Sequence, residues 1–202
     1  MNVFGRIFSD LRLQFVRKRA VKDVATIAIC VFLIGIAMQF VSSYILTMAL
    51  SFFPSEAKEY GENIGALLEL SLGMLFYVCV LAPVLEEFIF RGIFVSLFKQ
   101  FIPYLAANIL QALLFGIYHM NLIQGIYAFF LGLFIGYILY ATGSIGYTML
   151  FHCGINFMGM FIERIVPVDS SIYVQTAAGV VAFIVVLGLF YLLKGYLKVE
   201  SK

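Results

Sequence analysis

Seven apolar runs, most of them separated from the next by proline, glycine or a knot of polar residues, leave this chain few ways to fold. They cover 24–53, 64–82, 84–98, 104–119, 122–141, 145–162 and 172–193. A helix needs about 20 apolar residues to cross the hydrocarbon of a bilayer. The chain is 63% hydrophobic and 12% charged over 202 residues. Soluble domains have roughly 45–50% apolar and about 25% charged residues, so the excess has no place in a water-soluble core. The runs are continuous rather than alternating, which argues against a transmembrane barrel. The expected fold class is all-α: a polytopic transmembrane helical bundle of about six to eight membrane helices, with an amphipathic helix at the N-terminus.

That amphipathic helix belongs to residues 1–23, the most basic stretch, with Arg6, Arg12, Arg17, Lys18, Arg19 and Lys22. Phe4, Ile7, Phe8, Leu11 and Phe15 recur at helical spacing, as in a helix lying on an inner leaflet; a disordered basic tail is the plainer alternative. Residues 24–202 read as one membrane-embedded domain. The positive-inside rule places the N-terminus in the cytoplasm, and Lys194, Lys198 and Lys202 favour the same side for the C-terminus. Seven full spans cannot satisfy both. The run 84–98, short and preceded by Pro83, is the one expected to be re-entrant or to merge with its neighbour. Pro54 to Asn63, with Glu56, Glu59 and Glu62, reads as a polar loop, and Thr142-Gly143-Ser144 as a turn. Cys30, Cys79 and Cys153 sit in apolar runs as small buried hydrophobes rather than a disulfide framework. Gly132 and Gly136 form a small-xxx-small pair suited to close helix packing inside the bundle, with dimerisation as the weaker reading. The expected surroundings are the cell membrane and its lipid, with no nucleic-acid partner.

Against this background, a few ionisable side chains stand out, because such groups are costly in lipid and mark function by default. His119 and His152 are the only histidines. Glu87 and Arg91 are four apart on a helix and can pair. Glu86 points about 100° away, has no cation of its own and is free to act as a base. By themselves these charges would read equally well as an ion-pair cluster at a helix start. Phe115 and His119 are also four apart, as are His152 and Asn156. Alone, His119 could be merely interfacial, and His152 with Asn156 a helix-packing hydrogen bond.

Together, Glu86-Glu87-xxx-Arg91, Phe115-xxx-His119 and His152-xxx-Asn156 resemble, in order and spacing, the three motifs of the CAAX protease and bacteriocin-processing family (CPBP, or Abi) of intramembrane proteases. The resemblance spans about residues 80–160 and takes in the run from Phe130 to Ile145. It implies a metal-independent endopeptidase that hydrolyses a peptide bond of a membrane-associated peptide or protein. The substrate would be a CAAX-type protein or a bacteriocin or other peptide precursor. By the resemblance, Glu86 activates water with help from His119, His152 and Asn156 stabilise the oxyanion, and Arg91 holds Glu87. Peptide hydrolysis needs such a base and such donors. No cofactor is expected. Glu86, His119 and His152 could instead bind Zn²⁺, which accepts two His and a carboxylate; a His-Glu-x-x-His helix is missing. The alternative function is a non-catalytic bacteriocin-immunity or peptide-binding membrane protein. A proton-coupled transporter would more naturally show inverted repeats, and none is visible.

Overall fold

A computed structural model describes residues 3–16, 20–52, 71–167 and 170–196 of the chain. Among the described residues the fold is all-α, with helices α1 Val3–Val16, α2 Val21–Leu50, α3 Leu72–Phe98 and α4 Tyr104–Tyr118. These are followed by α5 Leu122–Thr142, α6 Ile145–Gly159, the single turn α7 Ile162–Ile165 and α8 Ile172–Leu193. Four of them, α2, α3, α5 and α8, are long and apolar enough to cross a membrane. The chain is a multi-pass membrane protein.

Local chemistry sets the ends. The Asn121 side chain accepts from Gln124 N and starts α5, and Gly143 closes it at φ 65°, a left-handed value that glycine takes without a Cβ clash. Ser171 starts α8 by accepting from Val174 N. The expected polar loop 54–63, the residues 64–70 of the second run, Arg17 to Arg19, Lys198 and Lys202 lie outside the described residues. So do the side chains of Phe4, Arg12 and Phe15.

The second and third apolar runs are not separate. Residues 72–98 form one helix that carries Pro83 in its interior. The helix accommodates the proline by changing pitch. Tyr77–Leu81 is π-helical just before it, and Phe88–Phe94 is a second π segment. Wider turns of this kind are rare and recur at functional sites. The merger places Glu86 near the middle of α3, about 20 Å of helix from each end at 1.5 Å per residue.

The core is built on α2, α5, α6 and α8, through Ile27, Val31 and Ile34, Ile135 and Ile138, Phe151 and Ile155, and Val186. Two glycines let α2 and α6 touch backbone to backbone. A Cβ at Gly154 would stand 2.5 Å from the Phe32 carbonyl oxygen, and one at Gly35 would overlap the Phe151 carbonyl. Gly154→Ala is therefore expected to destabilise the protein by about 1–3 kcal/mol, the usual cost of overpacking, measurable by thermal unfolding in detergent. Gly132 and Gly136 serve the same purpose between α5 and α4, where Ala112 and Asn108 occupy the space a side chain would need. This is the packing use expected of the pair. At the N-terminus, Leu11 of α1 is buried and meets Gly92 of α3, while Phe8 is exposed and Asp10 pairs with Lys99 at 3.1 Å.

Candidate active site

Three helices bring the polar side chains together: α3 supplies Glu86, Glu87 and Arg91, α4 ends at His119, and α6 supplies His152 and Asn156. After α3, the short connection at 99–103 sends α4 back along its C-terminal half. Phe115 of α4 thereby packs edge-on against Phe90 of α3, with ring centroids 5.0 Å apart. The close α2–α6 contact holds the middle of α6 against the same level.

Glu87 is the hub. It has no exposure and lies 3.0 Å from Arg91 Nη1 and 2.8 Å from His152 Nδ1. The arginine contact is at ion-pair range without hydrogen-bond alignment. Arg91, equally buried, donates from Nη2 to the Gly132 carbonyl at 3.3 Å and lies 4.5 Å above the Phe115 ring. A buried charge persists only when it is paired, and here the pair is further tied to a backbone carbonyl and an aromatic face. Glu86 is different. It retains 16% exposure, and its Oε2 stands 3.7 Å from His152 Nε2. That is longer than a hydrogen bond, as catalytic contacts often are before substrate binds.

The hydrogen bonds also assign the tautomers. His119 Nδ1 lies 2.8 Å from the Phe115 carbonyl oxygen. A carbonyl can only accept, so Nδ1 carries the proton. His152 Nδ1 donates to the Glu87 carboxylate at 2.8 Å. Both rings, when neutral, therefore present a bare Nε2. Phe115 separates them, lying edge-on to His119 at 4.8 Å and to His152 at 5.8 Å between centroids. Asn156, one turn beyond His152, donates from Nδ2 to the Val78 carbonyl at 2.9 Å.

Sequence reading alone missed a second polar line. Tyr104, Asn108 and Gln111 of α4 bind the α5 backbone: Tyr104 Oη donates to Gly136 O at 2.7 Å, Asn108 Nδ2 to Leu133 O at 3.0 Å and Gln111 Nε2 to Gly132 O at 3.0 Å. Their spacing of four and three, continued four residues on by Phe115, marks a single helix face, a signal present in an otherwise apolar helix. The line ends at the Gly132 carbonyl that Arg91 also uses, so it braces the arginine from the far side. Among the described residues, no group of three or more His, Cys, Asp or Glu side chains is arranged to hold a metal ion. Cys30 is buried, Cys79 and Cys153 are half-buried, and all three are free.

No curated protein and no solved structure matches the chain. The match comes from a family model described as Type II CAAX prenyl endopeptidase Rce1-like, over residues 68–158. That stretch contains Glu86, Glu87, Arg91, Phe115, His119, His152 and Asn156. The chain thus carries, over residues 68–158, an Rce1-like domain of the type II CAAX prenyl endopeptidase (CPBP, or Abi) family of proteases.

Proposed function

We propose that this protein is an intramembrane endopeptidase in which Glu86 activates a water molecule against a peptide bond. The observation that carries this reading is the division of labour between the two glutamates. Glu87 is sealed between Arg91 and His152, whereas Glu86 keeps exposure and faces a bare imidazole nitrogen. Glu86 takes a proton from water as the water oxygen attacks the carbonyl carbon. His152 Nε2, 3.7 Å away, receives that proton. So charged, His152 can donate to the developing oxyanion, which a neutral ring in this tautomer cannot do. The proton then passes to the departing amine as the C–N bond breaks. His119, with Nε2 likewise bare, assists as an acceptor for the attacking water.

The substrate in this reading is a membrane-associated peptide or protein, either CAAX-type or a peptide precursor such as that of a bacteriocin, and no metal takes part. The two shorter helices, α4 and α6, lie within the membrane with the four long ones, giving six membrane helices. Both basic ends on the cytoplasmic side, as the positive-inside rule favours, require that an even number of these helices cross the bilayer. α1, with exposed Phe8 and Arg6, rests on the inner leaflet, and residues 24–202 form one domain.

The test is cleavage of a panel of prenylated CAAX peptides and unmodified precursor peptides by the purified protein in liposomes, followed by mass spectrometry. His119→Ala and His152→Ala should each lower cleavage by about 10²-fold, the lower range for a proton-transfer group. Wild-type rates in both variants would sink the scheme.

A further inference from the structure

The helix carrying Glu86 contains a proline, and the donor that proline lacks is supplied from another helix. In the π segment Tyr77–Leu81, the Ala82 N–H donates to the Tyr77 carbonyl, five residues back. The next bond in that register would run from residue 83 to Val78. Residue 83 is proline and has no N–H to give. The Val78 carbonyl is instead met by Asn156 Nδ2 of α6, at 2.9 Å. In a chain that crosses lipid, a backbone carbonyl without a donor is costly, and the cost is avoided only by a partner inside the protein.

This bond does more than satisfy a carbonyl. α3 and α6 meet through polar groups at two levels. At one, His152 faces Glu86 and binds Glu87; at the other, Asn156 binds Val78. Asn156 is one turn from His152, and Val78 is about two turns from Glu86. The π turn before Pro83 sets the rotation of the helix beyond it, and in lipid it persists only while the Val78 carbonyl has a donor. Only with that rotation does Glu86 face His152 Nε2 while Glu87 faces Nδ1.

We propose that Asn156 is a positioning residue whose amide replaces the backbone donor withheld by Pro83, and so holds α3 at the rotation that aims Glu86 at His152. The role differs from the oxyanion donation that the family resemblance assigns to Asn156. It rests on the proteolytic reading only for its activity measurement.

The two roles separate in a cycle of Asn156→Ala, Pro83→Ala and the double variant. Alanine at 83 restores an N–H. In the π register that aims Glu86, Val78 O then gains its donor from residue 83. If Asn156 acts through Val78, the second substitution repairs the first; if Asn156 touches the oxyanion, it does not. Asn156→Ala should lower kcat by about tenfold, the weight of one buried hydrogen bond. The double variant should return to within about threefold of wild type, as expected for coupled rather than additive sites. Asn156→Leu, of similar volume, replaces Asn156→Ala in the cycle should the alanine variant not fold.

A second measurement is independent of turnover. With only two histidines in the chain, histidine-selective ¹⁵N labelling resolves the His152 ring. Its Nε2 signal should move in Asn156→Ala and return in the double variant. A double variant as slow as Asn156→Ala, or a His152 signal that Asn156→Ala leaves unmoved, overturns the proposal. Should wild type and Glu86→Gln prove equally unable to cleave, the proteolytic reading fails, and the His152 signal alone decides the positioning role.

Discussion

Glu86→Gln is expected to leave the fold intact and to slow peptide cleavage by about 10³-fold or more, within the range lost when a proton-transfer group is removed. The substitution keeps the shape of the side chain and removes its capacity to take a proton. It spares the buried hub, because Glu86 is neither the carboxylate paired with Arg91 nor the one bound to His152 Nδ1. An unchanged melting temperature together with lost cleavage would separate chemistry from folding. A folded Glu86→Gln protein that cleaves at the wild-type rate would remove Glu86 from the mechanism. If the variant instead kept cellular function while bulky substitutions around Phe115 abolished it, peptide binding without hydrolysis would be the better description.

Arg91→Leu should be the most damaging single change to stability in the site, by about 3–5 kcal/mol, the cost of stranding one member of a buried ion pair. Glu87 would be left with no exposure and no cation. The Gly132 carbonyl and the Phe115 ring would lose a partner as well. Adding Glu87→Leu should recover most of the loss, since replacing both members by apolar residues is often near neutral. The double variant should nonetheless stay inactive, because His152 Nδ1 loses the carboxylate that fixes its tautomer. Unfolding curves in detergent check this cycle. An Arg91→Leu protein within about 0.5 kcal/mol of wild type, the range of ordinary surface changes, would show that the pair does not hold the site.

Much of this arrangement was legible in the sequence because lipid simplifies the code. Helix 172–193 and the Thr142-Gly143-Ser144 turn follow from apolar length and turn chemistry, and the structure has both at those residues. The polar residues worth noticing were few, since a charge has little reason to sit in hydrocarbon unless it is used. Pro83 was harder. A proline argues for a break, but a π turn and a side chain from a distant helix let α3 continue through it. That compensation comes from a residue 78 positions away in the chain, which local patterning cannot register. The pairing of the imidazoles was also beyond the motif. Spacing gives Glu86 and Glu87 different directions, but only packing decides that both address His152, on its two nitrogens. The face formed by Tyr104, Asn108 and Gln111 is legible as a helical period in polar rather than apolar residues.

The central claim is that Glu86 drives hydrolysis of peptides held at the membrane. Its most direct measurement compares membrane-associated peptides by mass spectrometry in otherwise identical cells making wild-type or Glu86→Gln protein at equal levels. The expected result is a defined set of new peptide termini present with the wild type and lost with Glu86→Gln. The same termini in the same amounts in both would contradict it.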